Sequence, residues 1–502
     1  MSHPNILFIM TDQQRYDTIA ALGNELIYTP NYDRLVQRGV SFTRAYSACP
    51  VCVPARYNIR TGCEPSTNGF YGNGTYDERL GPLTTVEERC GPFLPRRMGE
   101  LGYRTFGIGK EHSWHAGLGY ETALPAEEMW GSEEERLRDA YAGFIAREHP
   151  EFAFLEQLHG ERTEMYYMPQ MSPLPADLTC EAWAADRAVE NIAREDGRPW
   201  FGFVSFIGPH PPCAPPIPYN RLYDPDRMSS PVLGDLAVDH MDEQIPWMNS
   251  MIWADDISPM QARALKARYY GEITYIDACI GRMLGAVDAR SDADNTLICF
   301  FTDHGDHLGD HHAWQKESFF EQACHIPFLV SWPSRLPAGT RHDGLVCLTD
   351  LFGIATTAAG APELRDGHDL LGMLAGTADP RESYVGMYEM PGSPFFKLMV
   401  LQGPWKYIYM ANGGREQLFN LDEDPQELRL ANRDYPDVLR SLREMAITRL
   451  AGSGAAPALS DRGLLAFPYR DRPRERIVQM DGSRGVNGFP AHPRDVLARA
   501  EK

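Results

Sequence analysis

Asn5-Ile6-Leu7-Phe8-Ile9-Met10-Thr11-Asp12-Gln13 is an apolar run that stops on a carboxylate and an amide. A run of this length, apolar throughout, fits a strand buried on both faces of a parallel sheet. Three other runs have the same form. Residues 103–108 end at Gly109-Lys110, residues 200–207 at Gly208-Pro209-His210, and residues 296–301 at Thr302-Asp303-His304. Helical stretches fall between them, over 31–38, 179–194 and 259–289. This alternation predicts an α/β sandwich with a large, mostly parallel central sheet. Ligands of such sheets bind outside the carboxyl ends of the strands. Asp12, Lys110, His210 and Asp303 are therefore expected to converge.

The chain has 502 residues, enough for two or three domains and for a large core without disulfides. Its formal net charge of −21 argues against nucleic acid as a partner, which needs a basic footprint. A small anionic substrate stays open, because a few buried cations and a metal can reverse the local field. The apolar run at the N-terminus is too short to span a membrane and lacks a basic flank and cleavage site. The ten cysteines show no framework spacing. Together these features lead to the expectation of a cytoplasmic protein with reduced thiols and no membrane partner.

Residues 113–176 are rich in Glu, aromatics and Met with weak periodicity, and read as an insertion or lid within a catalytic domain over 1–370. Beyond that the character changes. Residues 384–388, 396–401, 405–410 and 418–421 read as short strands separated by Gly-containing turns, with a helix over 436–450. This predicts a smaller C-terminal α+β domain, 371–452, with a short antiparallel sheet. The tail, 453–502, carries many Arg and Pro. It reads as an arm on a neighbouring surface, consistent with a homo-oligomer, or as a flexible end.

Cys52-Val53-Pro54-Ala55-Arg56 places a thiol near the start of a helix, with Pro54 in its first turn. Helix N-termini favour anions, and Arg56 one turn on adds fixed positive charge. A buried structural Cys, or a redox pair with Cys49, are the competing readings of these residues alone. Asp12-Gln13 and Asp303-His304 offer oxygen and nitrogen donors suited to a divalent cation, against the blander reading of loop polarity or helix caps. His112, in Gly109-Lys110-Glu111-His112, has an intrinsic pKa suited to proton transfer. Pro209-His210-Pro211-Pro212 would hold an imidazole rigidly. The His-rich stretch 304–316 ends in Lys316, a candidate for binding substrate oxygens. His307, His311 and His312 are expected to support that loop rather than to bind an ion.

In this order the stretches resemble the type I sulfatases, the formylglycine-dependent branch of the alkaline phosphatase superfamily. The Cys52 segment, continuing to Thr61-Gly62, matches their C-x-P-x-R signature. Residues 4–12, 29–35, 109–112, 209–212 and 294–316 match further motifs, and Leu418-Phe419-Asn420-Leu421-Asp422-Glu423-Asp424-Pro425 is similar to their L-Y-D-L-x-x-D-P. The resemblance implies an alkaline-phosphatase-like sandwich that hydrolyses a small-molecule sulfate monoester to an alcohol and sulfate.

It also implies that a separate maturation enzyme oxidises Cys52 to formylglycine. The hydrate of that aldehyde would then supply a hydroxyl nucleophile on one divalent ion. By matched position, Asp12, Gln13, Asp303, His304 and residue 52 bind the ion. Arg56 and Lys110 stabilise the nucleophile, and His112 is the base that releases sulfate. His210 and Lys316 hold sulfate oxygens and assist the leaving group.

Two departures bear on the metal and the substrate. Gln13 and His304 stand where many members have Asp and Asn. This resembles choline sulfatases and phosphonate monoester hydrolases, and it brings Mn²⁺ in beside Ca²⁺. Phosphonate monoester hydrolases generally lack the Gly-Lys-x-His stretch, so Lys110 and His112 favour sulfate esters. A phosphonate monoester or phosphodiester hydrolase is the alternative. An intact set of Cys52, Lys110, His112, His210 and Lys316 argues against a non-catalytic binding protein. Specificity for the alcohol is expected in 113–176, 211–255 and the smaller domain.

Overall fold

Why four strand ends meet at one place is clear from β1 (Asn5–Thr11), every residue of which is buried. Its side chains alternate between two cores, as a period of two requires. Leu7 and Ile9 enter a cluster with Tyr32, Trp183, Tyr269 and Ile276. Ile6, Phe8 and Met10 enter a second cluster with Ala55, Ile59, Phe352 and Ile354. A strand apolar on both faces must be covered on both, which places it in the middle of a three-layer sandwich. The computed structural model shows this arrangement and describes residues 3–474 apart from 116, 129, 131, 154 and 157–164.

The other strands of the central sheet are β2 (Val40–Tyr46), β3 (Arg104–Gly109), β4 (Thr122–Pro125), β5 (Trp200–Ser205), β6 (Thr296–Thr302), β7 (Phe328–Ser331) and β8 (Thr340–Cys347). Their order is β8-β2-β7-β6-β1-β5-β3-β4. All neighbours pair in parallel except β7, which is antiparallel to both β2 and β6. The four strands whose ends carry the candidate residues, β6, β1, β5 and β3, are consecutive. Gly109 ends β3 at φ +93°, and a Cβ there would lie 2.0 Å from the Ser205 carbonyl oxygen. Only glycine lets the two strands stay this close where Lys110 leaves the sheet.

On one face lie α1 (Pro30–Arg38), and the later helices Cys180–Ala193 and Pro259–Asp288. The last begins at a capping box between Ser258 and Gln261, with Pro259 in its first turn. The other face carries α2 (Cys52–Thr61) and the helix Asp350–Ala358.

A second sheet is a four-stranded antiparallel meander, β9 (Ser383–Tyr388), β10 (Lys397–Gln402), β11 (Trp405–Met410) and β12 (Arg415–Asn420). One face packs on the helix Pro436–Ala451 through Leu442, Ala446 and Leu450. The other packs on Tyr46, Val51, Phe319 and Phe320 beside the central sheet.

Two sequence expectations need adjusting. The stretch 113–176 is not wholly an insertion, because β4 within it is the edge strand of the central sheet. Its residues are partly exposed and make no apolar run, so no strand signal shows in the sequence. The tail, as far as residue 474, lies on this chain's own surface. Phe467 N–H donates to the Ala411 carbonyl at 2.8 Å, and the Arg472 guanidinium stacks on Trp247 at 3.9 Å and Phe395 at 4.6 Å. Residues 475–502 lie outside the described residues. Among the described residues no helix is long and apolar enough to cross a membrane, and no disulfide joins the ten cysteines.

Candidate active site

Cys52 is the first residue of α2, whose N-cap, Val51, supplies no side-chain hydrogen bond. The helix therefore points N–H groups and the positive end of its dipole toward the carboxyl ends of β1 and β6. Four functional groups surround the Cys52 sulfur. Lys316 Nζ lies at 3.0 Å, His304 Nε2 at 3.3 Å, Asp12 Oδ1 at 3.7 Å and Lys110 Nζ at 4.0 Å. The residue is 1% exposed. Burial pushes its thiol up, but Lys110, Lys316 and His304 outweigh it, and a hydrogen bond from His112 adds to them. The thiol is held well below its ordinary range.

Asp12, Cys52, Asp303 and His304 each offer a ligand atom, and these atoms all lie within 4.8 Å of one another. The His304 Nδ1 edge faces the Gly305 carbonyl at 3.1 Å, which leaves Nε2 directed into the cluster. Two carboxylates, one imidazole nitrogen and one sulfur position fit a small divalent ion. Burial and the neighbouring Asp12 push Asp303 up to about 6. Asp12 goes the other way. Burial and Cys52 push it up, yet Lys110, His210 and Lys316 hold it below the usual carboxylate range. Such opposition between two facing carboxylates is what a cation would relieve.

Gln13 adjoins this cluster through its neighbour Asp12 and through Lys316. Its side-chain oxygen accepts from Lys316 Nζ at 2.8 Å, and its Nε2 donates to Asp306 at 2.6 Å. Arg56 is fully engaged below the site. It donates to Asp12 at 2.8 Å, Asp303 at 3.2 Å, the Lys110 carbonyl at 2.6 Å and Ser205 at 3.0 Å. Lys110 reaches Asp12 at 2.6 Å. His210 is 3% exposed, and burial followed by the Lys316 charge lowers its pKa. Its Nδ1 donates to the Pro211 carbonyl at 2.7 Å, so the proline-rich loop fixes the ring. Gln13, His112, Gln315 and Glu317 carry left-handed φ values of 66°, 45°, 74° and 73°. Strain of about 1–3 kcal/mol per residue at such positions is typical of sites built for geometry.

The remaining histidines of the 304–316 loop face away from the cluster. His307 Nε2 meets Ser318 at 2.6 Å, His311 Nδ1 meets Asp239 at 2.9 Å, and His312 Nε2 meets the Gly234 carbonyl at 3.3 Å.

Glu128 is the group that sequence reasoning missed. Its carboxylate lies 2.7 Å from Lys110 Nζ, 3.7 Å from His112 Nδ1 and 3.8 Å from His210 Nδ1. It follows β4 at the same end of the sheet as the other site residues. Recognition of that edge strand would have pointed to it. Tyr166 and Tyr167 of the same segment also reach the site, bonding Gln315 at 2.7 Å and Asp306 at 2.8 Å.

A sulfatase family model matches residues 4–361, and the chain belongs to that family. An arylsulfatase of Clostridium perfringens is 26% identical over 93% of this chain and 98% of its own length. A choline-sulfatase of Rhizobium meliloti is 27% identical over 85% of this chain and 81% of its own. Among solved structures, the phosphonate monoester hydrolase of Agrobacterium radiobacter superposes with a TM-score of 0.72. It covers 94% of this chain and 100% of its own, at 24% identity, a likeness of fold. The chain is thus a sulfuric ester hydrolase by family.

Proposed function

We propose that this enzyme cleaves the sulfate monoester of a small alcohol with a formylglycine made from Cys52. One observation carries the reading. The Cys52 side chain sits at a helix N-terminus in contact with two lysines and with the candidate metal cluster. Formylglycine, as its hydrate, would supply the attacking hydroxyl, and a divalent ion at Asp12, Gln13, Asp303, His304 and residue 52 would polarise the ester. The imidazole donor of His304 favours Mn²⁺ beside Ca²⁺.

The chain's own residues do the rest. Arg56 clamps Asp12 and Asp303 in place. Lys110 and the N-terminus of α2 stabilise negative charge on the side chain at position 52. Lys316 and His210 hold sulfate oxygens and assist the leaving group, with the Lys316 ammonium as the proton source for the departing alcohol. His112, whose buried Nδ1 has no hydrogen-bond partner among the described residues, accepts the proton when sulfate is released.

The alcohol would occupy the cavity beside Lys316, lined by Trp247, Met248, Tyr388, Glu389 and Arg472. These residues come from the 211–255 stretch, the smaller sheet and the tail, two of the three regions to which specificity is assigned above and one that it omits. A phosphonate monoester or phosphodiester hydrolase is the second reading, supported by the His304 donor. Relative rates on matched aryl sulfate and aryl phosphonate esters separate the two.

The direct test is the mass of the tryptic peptide 45–56 from protein co-expressed with a formylglycine-generating enzyme. The expected result is the loss that accompanies thiol-to-aldehyde conversion. An unmodified thiol under those conditions overturns the formylglycine mechanism.

The metal assignment is tested by paired variants. His304→Ala is expected to lose about 10–100-fold in affinity for Mn²⁺, read by equilibrium dialysis, while His307→Ala binds as the parent does. Equal metal content in the two variants would remove His304 from the ligand set.

A further inference from the structure

The charges around Cys52 are unevenly shared, and the share held by Glu128 has a consequence for substrate choice. Three permanent cations approach position 52. Arg56 is divided between Asp12 and Asp303. Lys110 lies between Asp12 at 2.6 Å and Glu128 at 2.7 Å. Lys316 makes no ion pair among the described residues, its hydrogen-bond partners being the Gln13 side-chain oxygen and the Cys52 sulfur. Three cations are thus in contact with Asp12, Asp303 and Glu128, while Glu127 also acts on Arg56; of the three in contact, Glu128 alone stands outside the metal cluster and outside the grip of Arg56. It is 4% exposed, and an ion held by that cluster would not take up its charge. Burial pushes its carboxyl up, but Lys110, His210 and His112 hold it well below the ordinary range, so it is ionised.

Resting on the sulfate-ester reading above, we propose that Glu128 is a charge-selecting residue. Its carboxylate restricts the site to esters whose transferred group carries a single negative charge, and it excludes dianions. Sulfate monoesters carry one charge at every working pH. Phosphonate monoesters and phosphodiesters also carry one. Phosphate monoesters, by contrast, have a second ionisation near pH ~6 and are dianions above it. In a buried site the added repulsion from a fixed carboxylate is weakly screened, so one such group discriminates strongly between one charge and two. This is specificity by a repulsive element. Hydrogen bonding alone would not provide it, because sulfate and phosphate oxygens share their tetrahedral arrangement.

The test compares 4-nitrophenyl sulfate and 4-nitrophenyl phosphate at about pH 8, where the second is a dianion. Glu128→Gln keeps the shape of the side chain and a hydrogen-bond acceptor for Lys110, and removes the charge. The expected result is a rise of about tenfold or more in the phosphate-to-sulfate ratio of kcat/KM, with Glu128→Asp keeping the parent's ratio. A purely structural role would slow both substrates together and leave the ratio alone. An unchanged ratio in Glu128→Gln, or the same rise in Glu128→Asp, overturns the inference.

A second measurement needs no variant. Competitive inhibition of the parent enzyme by phenyl phosphate should weaken as its dianion forms, relative to the Michaelis constant for the aryl sulfate at the same pH. A constant relation between the two across that range also overturns the proposal. Failure of the parent to turn over 4-nitrophenyl sulfate or any other sulfate ester would instead strike the functional reading itself, and the charge-selection inference would fall with it.

Discussion

Cys52→Ala is expected to abolish turnover, with a loss in kcat of about 10⁴-fold or more, while leaving the protein folded. On the proposed formylglycine mechanism the variant lacks the covalent nucleophile, which removes the reaction path rather than one stabilising contact, so no neighbour compensates. The fold should survive for local reasons. Alanine is a better helix former than cysteine at the start of α2. Lys316 keeps the Gln13 oxygen at 2.8 Å, and Lys110 keeps Asp12 and Glu128. Asp12, Asp303 and His304 keep their places, so the candidate metal site retains its protein carboxylates and imidazole. The measurements are turnover of a sulfate ester, metal content and far-ultraviolet circular dichroism on one preparation. A folded, metal-replete variant that still turns over would sink the mechanism.

The second large effect concerns stability. Lys406 of β11 is completely buried, and its ammonium meets Glu321 at 2.6 Å, Glu427 at 2.8 Å and the Phe319 carbonyl at 2.9 Å. This lysine joins the smaller sheet to the loop that follows the site. Its charge is divided unequally. Against burial, Lys406 and His325 hold the Glu321 carboxyl down, whereas burial pushes Glu427 up.

Lys406→Met leaves two buried carboxylates without their shared cation, and breaking a buried pair in this way costs about 3–5 kcal/mol. The urea midpoint should fall accordingly, and Glu427→Gln in the same chain should recover part of the loss. Destabilisation below about 1 kcal/mol would mean that the cluster contributes little. Because the Glu321 pKa is depressed in the folded state, its contribution is complete above the ordinary glutamate value of about 4.3 and is lost as the pH falls. The gap between parent and Lys406→Met should therefore narrow in acid.

The central fold was legible because its strands are apolar on both faces. Runs such as 5–10 and 296–301 have no reading as amphipathic helices, and their polar ends locate the site before any family is considered. The four strands of the smaller sheet were marked by the turns between them. β4 was not legible, because an edge strand covered on one side needs no apolar run. Glu128 was lost with it.

Of the candidate residues, Cys52, Arg56, Lys110, His112, His210, Lys316, Asp12, Asp303 and His304 converge in the structure. Gln13 lies with them, its side-chain oxygen accepting from Lys316 at 2.8 Å. The carboxylate beside Lys110 could not be found from any motif, since its partners come from separate strand ends and only the folded sheet brings them together.

β1 lies between β5 and β6, so its two neighbours are made some 190 and 290 residues after it. At ribosomal rates of about 5–20 residues per second, the first strand waits roughly 15–60 s for the second of these partners. Through that interval the nascent chain exposes Ile6-Leu7-Phe8-Ile9-Met10, with neither charge nor proline inside the segment to discourage pairing with another chain. Yield of native protein should therefore depend on chaperone capacity and on translation speed more than on equilibrium stability. A chain permuted to begin just before β5 would synthesise this strand after its neighbours and shorten its exposure.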